Sequence, residues 1–310
     1  MTANTPLGPG GEFDIIRALV ARWGATAAGI GDDAAILDVP PGERLVVSVD
    51  SSVEEVHFRR AWLTPWEIGW RATAAALSDL GAAGATPMGV LVSLSLSPAW
   101  LPHVAALGDG IAAAVRGAGT VIVGGDTTRG DGLCIALTVL GRAAAPLRRS
   151  GARPGDTIYV TGRLGGPLLA LRALEAGRDP SPHPRERFAH PIPRIREGEW
   201  LARHGVHAAI DISDGLVGDA AHIAAASGVR LSIDLDALPT VSGISPMDAA
   251  VSGEEYELLV TAPALDAARF ERELGVPLTA IGRVESGAPG VHALLRGERV
   301  ALGGGFSHFS

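Results

Sequence analysis

The chain has no lysine and no glutamine; all 26 of its basic residues are arginine. Asparagine occurs once, at Asn4, and cysteine once, at Cys134. Each absence excludes chemistry. Without lysine there is no GK[ST] phosphate loop, no protein-kinase strand lysine and no Schiff-base or lysine nucleophile. A single thiol forms neither an internal disulfide nor a cysteine metal cluster. Cys134 lies in the apolar run LCIALTVL, which reads as a buried core position. Long hydrophobic runs are also missing. The stretches at Gly89–Leu101 and Leu133–Leu140 are interrupted or short of the roughly 20 residues a bilayer span requires. The opening MTANTPLGPGGEF has neither a basic start nor an apolar centre, so it does not read as a signal peptide. A cytoplasmic location is expected.

What is present is carboxylate. The 310 residues carry 34 acidic against 26 basic side chains, a net charge of −8. Such a surface disfavours nucleic acids and anionic membranes and suits small-molecule partners. Hydrophobic content of 47% over this length suffices for two medium domains. Strand and helix patterns mix in both halves without strict βαβ alternation, which indicates an α/β protein of the α+β type in two lobes. The turn-rich stretch Arg142–Asp156 marks the junction. The expected domains are 1–147, holding nucleotide and metal, and 148–310, an α/β domain.

Several aspartates share one setting, beside Gly or Ser where an apolar strand or helix finishes. They are Asp32 and Asp33 after Gly31, Asp50 after Ser48-Val49, Asp79 after Ser78, Asp126 after Gly124-Gly125, and Asp211 and Asp214 in DISDG. Any one of them is an ordinary turn or cap residue. As a set, following the most apolar strands, they suit hard cations such as Mg²⁺, which take oxygen ligands. Converging carboxylates cannot all ionise near neutral pH without compensation, and bound cations that also bridge nucleotide phosphates provide it. The two-glycine segments Gly124-Gly125 and Gly165-Gly166 offer further amide donors. Spacing does not choose between Asp32 and Asp33.

The segments GEFDIIRAL, GIGDDAA, SVDSSVEEVHF, LSDLGAAGATP, GGDTTRG, RRSGARPGDTIYVTG, DISDGL and SGEEYEL follow in order over nearly the whole chain. In this they resemble the thiamine-monophosphate kinase family, within the superfamily of aminoimidazole-ribonucleotide synthetase and selenophosphate synthetase. The resemblance implies ATP-dependent phosphorylation of thiamine monophosphate to thiamine diphosphate by direct in-line transfer with several Mg²⁺ ions. It also implies a homodimer in which N-terminal lobes pair strands into a barrel, with the C-terminal lobes outside. By motif, the implied metal ligands are Asp33, Ser48, Val49, Asp50, Asp79, Asp126, Asp211 and Asp214. Gly125, Asp126, Arg149 and Ser213 would contact the nucleotide, and His57, Glu254 and Phe306 the thiamine moiety. Asp126, Asp211 and Arg149 would carry catalysis. A guanidinium fork at Arg149 suits phosphate, and an aromatic face suits a cationic thiazolium. Val49 stands where the family often has Thr: a backbone-carbonyl contact survives that change and a hydroxyl contact does not. Glu255 replaces a usual Asp. A selenophosphate synthetase would carry a reactive Cys in its N-terminal segment, which is absent here. A metal- and nucleotide-binding protein without turnover is the reading from a different class.

Overall fold

The structure is a computed structural model that describes residues 4–5 and 11–302. In chain order its elements are α1 (Gly11–Trp23), β1 (Arg44–Val53), α2 (Pro65–Ala82), β2 (Thr86–Leu96), α3 (Val104–Gly117), β3 (Ile122–Arg129) and β4 (Leu133–Ala143). Then come β5 (Thr157–Thr161), α4 (Gly166–Glu175), α5 (Pro182–Ala189), α6 (Ile195–Arg203), β6 (Ala208–Asp211), α7 (Leu216–Ser227) and β7 (Arg230–Asp234). The chain ends through α8 (Pro246–Ala249), β8 (Leu258–Ala262), α9 (Ala267–Leu274), β9 (Leu278–Glu285), β10 (Gly290–Leu295) and β11 (Glu298–Val300). The contact pattern divides it into two compact units, Met1–Leu80 with Thr86–Ala144, and Gly81–Ala85 with Ala145–Ser310.

The first unit holds a four-stranded sheet in the order β1-β4-β2-β3, so β1 and β3 are its edges. Alternation decides its faces. Val90, Val92, Leu94 and Leu96 of β2 align with Val139, Leu137, Ile135 and Leu133 of β4, and all eight are buried. Leu77 and Leu80 of α2 and Leu107, Ile111 and Val115 of α3 are buried as well, and Leu80 lies over Gly141 of β4. The other face, with Leu91, Ser93, Ala136 and Thr138, is only half-buried. Cys134 belongs to this second face, in register with Val53 and Ser95. It is half-buried and not a core residue, because strand alternation outweighs the apolar character of its neighbours.

Two further expectations change. LVVSV at Leu45–Val49 reads from its apolar character as a buried strand ending on Asp50, but β1 runs through Asp50 to Val53, and Val47 and Val49 are exposed. Likewise β3 does not stop at Gly124-Gly125-Asp126 but carries that triplet through to Arg129.

The second unit holds a seven-stranded sheet in the order β11-β10-β7-β9-β5-β8-β6. Its central strands β5 and β8 are buried along their whole length. Ile158 and Val160 enter one core with Ile210, Leu259 and Ile223 of α7. Tyr159 and Val260 enter the opposite core with Trp200 of α6 and Phe270 of α9. Helix α5 escapes a sequence reading because Pro182 and Pro184 read as loop. Proline is tolerated in a first helical turn, where the missing N–H has no helical partner.

Candidate active site

In the first unit the carboxylates fall into two groups. Ser48 and Asp50 share the helix-facing side of β1, aligned with the buried Val139 and Leu137. There the Ser48 hydroxyl donates to Asp79 Oδ2 of α2 at 2.5 Å. Asp50 Oδ1 accepts the backbone N–H of Ser51 at 2.8 Å. Val49 lies between them with its side chain on the opposite face, 67% exposed. Just past β1, His57 Nδ1 accepts the N–H of Val53 at 3.1 Å, so the neutral ring carries its proton on Nε2. Glu54 braces this turn: its Oε2 accepts Trp100 Nε1 at 2.9 Å and the Leu133 N–H at 3.0 Å.

The second group is on the other face and at the other edge. Asp126 aligns with Ser93, whose row continues through Ala136 to Ser51. Asp126, Gly125, Asp33 and Asp32 line one cavity of about 820 Å³ walled by Phe13, Ile16, Leu91 and Leu140. Asp32 is also within 3.4 Å of the Thr5 hydroxyl; both aspartates face this cavity, and it does not choose between them. Gly125 has no room for a side chain, since a Cβ there would meet the Val92 carbonyl. Three inter-strand spacings, on the order of 14 Å, separate the edge strands that carry Asp50 and Asp126. The six ligands implied for this unit therefore do not converge within one chain. Among the described residues no group of three or more His, Cys, Asp or Glu side chains is placed to hold a metal ion.

In the second unit the DISDG loop leaves the end of β6. Asp211 is buried at that end, and Ser213 and Asp214 are half-buried. Gly215, at φ 119°, makes the turn into α7, a conformation that side chains other than glycine's rarely adopt. The SGEEYEL segment lies directly against the loop. Glu254 N–H donates to Ser213 O at 2.6 Å, Tyr256 N–H to Ile212 O at 2.9 Å, and Ile212 N–H to Glu257 O at 2.8 Å. Glu254 and Tyr256 both take positive φ, 59° and 51°, costly for residues other than glycine and often found at functional sites. Arg149 sits elsewhere on this unit. Its carbonyl accepts from Ser227 at the far end of α7, about 18 Å of helix from Ser213. Phe306 lies outside the described residues.

Two acidic residues of this unit were not singled out as site residues from the sequence. Asp219, in the first turn of α7, is buried and accepts three successive N–H groups of the loop. Burial, then the negative charges of Asp211 and Asp214, push its carboxyl up to about 7. Glu255 is buried too; its Oε1 accepts the Gly165 N–H at 2.5 Å and the Ser252 hydroxyl at 2.6 Å. Its neighbour Glu257 is fully satisfied by Arg194, Arg187 and Thr161 at 2.6–2.8 Å. Burial alone would raise Glu257, but Arg194 and Arg187 outweigh it and hold the carboxylate below its usual range. An Asp at the fourth position after DISDG and a Glu inside EEYE are the available sequence signals, and neither reveals burial.

The donor set fits Mg²⁺ by its chemistry. It is all oxygen, and the charges of Asp211 and Asp214 bear on Asp219 without a basic partner for Asp219 in the loop hydrogen bonds. Mg²⁺ keeps several waters and takes one or two protein carboxylates beside substrate phosphates, so separate small groups suit it better than a closed cage.

Residues 31–143 match AIR synthase related protein, N-terminal domain, and residues 153–293 match its C-terminal domain. A thiamine-monophosphate kinase of Salmonella typhimurium is 35% identical, over 97% of this chain and 98% of its own. The chain belongs to the thiamine-monophosphate kinase family. It is a kinase with the mixed α/β fold of that family. The crystal structure of thiamine-monophosphate kinase from Stenotrophomonas maltophilia K279a superposes with a TM-score of 0.82 at 36% identity, covering 97% of this chain and 100% of that one. AaThiL complexed with AMPPCP and TMP superposes with a TM-score of 0.77 at 29% identity, covering 96% and 97%.

Proposed function

We propose that the protein transfers the terminal phosphoryl group of ATP directly to the phosphate of thiamine monophosphate, forming thiamine diphosphate and ADP. The observation that carries this reading is the likeness, along almost the whole chain, to AaThiL complexed with AMPPCP and TMP. The acceptor is already an ionised phosphate oxygen at neutral pH, so no general base is required. Catalysis then rests on alignment and charge stabilisation.

In this reading Asp33, Ser48, Val49, Asp50, Asp79, Asp126, Asp211 and Asp214 hold several Mg²⁺ ions, Val49 through its backbone because its side chain leaves on the face opposite Asp79. When bound, the ions neutralise phosphate charge and hold the phosphates in line. Gly125 and Asp126 take the nucleotide at the β3 edge, where the missing Cβ lets backbone and ligand approach. Arg149 contributes a charged fork to a phosphate, and Ser213 a hydroxyl. Glu254 hydrogen-bonds the aminopyrimidine, its backbone held by the Ser213 carbonyl. His57 offers Nε2–H to the thiamine moiety, and Phe306 would cover it.

The protein acts as a cytoplasmic homodimer in this proposal. Leu45, Val47 and Val49 stand 51%, 52% and 67% exposed on one face of an edge strand, and such a strand is completed by pairing or covering in a second copy. The first units would then form the barrel. No helix among the described residues is long and apolar enough to cross a membrane.

Purified protein with Mg²⁺-ATP should convert thiamine monophosphate to thiamine diphosphate and ADP, resolved by chromatography; no product at saturating substrate ends the proposal. Asp126→Asn and Asp211→Asn should each lower kcat by roughly 100-fold or more, with circular dichroism unchanged. Near-normal turnover in both would remove the multi-cation arrangement.

A further inference from the structure

The start of α7 has an unusual economy of hydrogen bonds. Helix N-termini leave N–H groups that need acceptors, and a Gly-rich loop before a helix often offers them to a phosphate. Here the chain fills that role itself. Asp219 Oδ2 accepts the N–H of Ser213 at 3.1 Å, of Asp214 at 3.2 Å and of Gly215 at 3.1 Å. Asp219 is 2% exposed, so this acceptor is not exchanged for solvent. Its own N–H continues the helix by donating to Gly215 O at 2.9 Å. The Asp219 carboxylate thus lies under the loop, while Ser213 and Asp214 remain half-exposed above it.

The loop is gripped on its other side by the Glu254 and Tyr256 amides, which donate to Ser213 and Ile212. The N–H groups of Ser213, Asp214 and Gly215 are therefore committed to Asp219, and the carbonyls of Ile212 and Ser213 to the SGEEYEL segment. Amides consumed in this way are not free to cradle a phosphate; what the loop presents is side chains.

We propose that Asp219 is a positioning residue for phosphoryl transfer: it locks the DISDG backbone so that Asp211, Ser213 and Asp214 are presented in one fixed geometry, and it makes this loop a side-chain site and not a backbone phosphate cradle. The inference rests on the kinase reading above. Displacement of such groups by about 1 Å is worth roughly 100-fold in rate, without a matching loss of ground-state binding.

Two measurements test it. In steady-state assays with Mg²⁺-ATP and thiamine monophosphate, Asp219→Ala should lose roughly 100-fold in kcat with KM for thiamine monophosphate changed by less than about threefold. Asp219→Asn, which keeps one acceptor oxygen, should recover about tenfold of that loss, equivalent to about 1.4 kcal/mol. In nucleotide-free protein, amide exchange of a peptide spanning 211–219 should rise at least about tenfold in Asp219→Ala while β5 and β8 stay protected. Wild-type kcat in Asp219→Ala, unchanged loop exchange, or exchange rising equally throughout the second unit would each overturn the proposal, the last because it marks a general stability role. If the wild type fails to phosphorylate thiamine monophosphate, the kinase reading falls, while the exchange measurement still decides whether Asp219 holds the loop.

Discussion

At the scale of single residues, the buried acids of the second unit divide by their partners. Glu257 has two arginines and a threonine around it and stays charged. Such a pair is costly to break from one side, since the abandoned charge stays buried. Glu255, two residues away, has a weaker claim on Arg187, at 3.7 Å. Burial therefore dominates and pushes its carboxyl up to about 7, against the pull of Ser252, Arg187 and the Gly165 N–H. The folded protein then holds a proton that the unfolded chain releases from about pH 4.5 upward. Folded-state stability should fall as pH rises from about 4.5 to about 7 and be flat above that, because the native state binds more protons across this window. Urea midpoints of wild type and Glu255→Gln, taken near pH 5 and near pH 8, check this. The variant should lose much of the slope; an equal slope in both proteins would assign it to another group.

Among elements, the edge strand β3 is the informative case. Gly124-Gly125-Asp126 reads from sequence as the end of a strand, since two glycines usually interrupt one. In the fold they continue it, because β3 lies at the sheet edge beside β2 and Gly125 must pass close to the Val92 carbonyl. A methyl group at 125 cannot be absorbed by a side-chain shift, as the atoms it meets are backbone. Gly125→Ala should push β3 outward and raise KM for ATP about tenfold, with a loss of stability of about 1–3 kcal/mol, read by steady-state kinetics and thermal melting. An unchanged KM would remove Gly125 from the nucleotide contacts. The alternation of β2 and β4 was open to a reader of the sequence, whereas the exposure of β1 was not. LVVSV looks like a core strand, and only its place at the edge of the order β1-β4-β2-β3 leaves Val47 and Val49 uncovered.

For the molecule as a whole, that uncovered strand is the observation with the largest consequence. Exposed valines on a bare edge invite pairing with another sheet. The proposed pairing predicts a dimer for the wild type in light scattering, and a monomer with kcat lowered by at least about tenfold when Val47 and Val49 are both replaced by Asp. A variant that remains dimeric would place the interface elsewhere.

What the sequence determined by itself was the chemistry. Missing lysine, ordered acidic motifs and the resemblance they carry are local properties, readable without knowing which strands pair. They named Asp50, Asp79, Asp126, Asp211 and Asp214 as the acids to watch. Only the tertiary structure decided how those acids are grouped: Asp79 with Ser48 on one side of a sheet, Asp126 with Asp33 on the other, and DISDG against SGEEYEL. It alone revealed Asp219 and Glu255, whose roles depend on burial and on hydrogen bonds that close only once the chain has packed. Strand order and burial are set by contacts between residues far apart in sequence, and a motif carries no record of them.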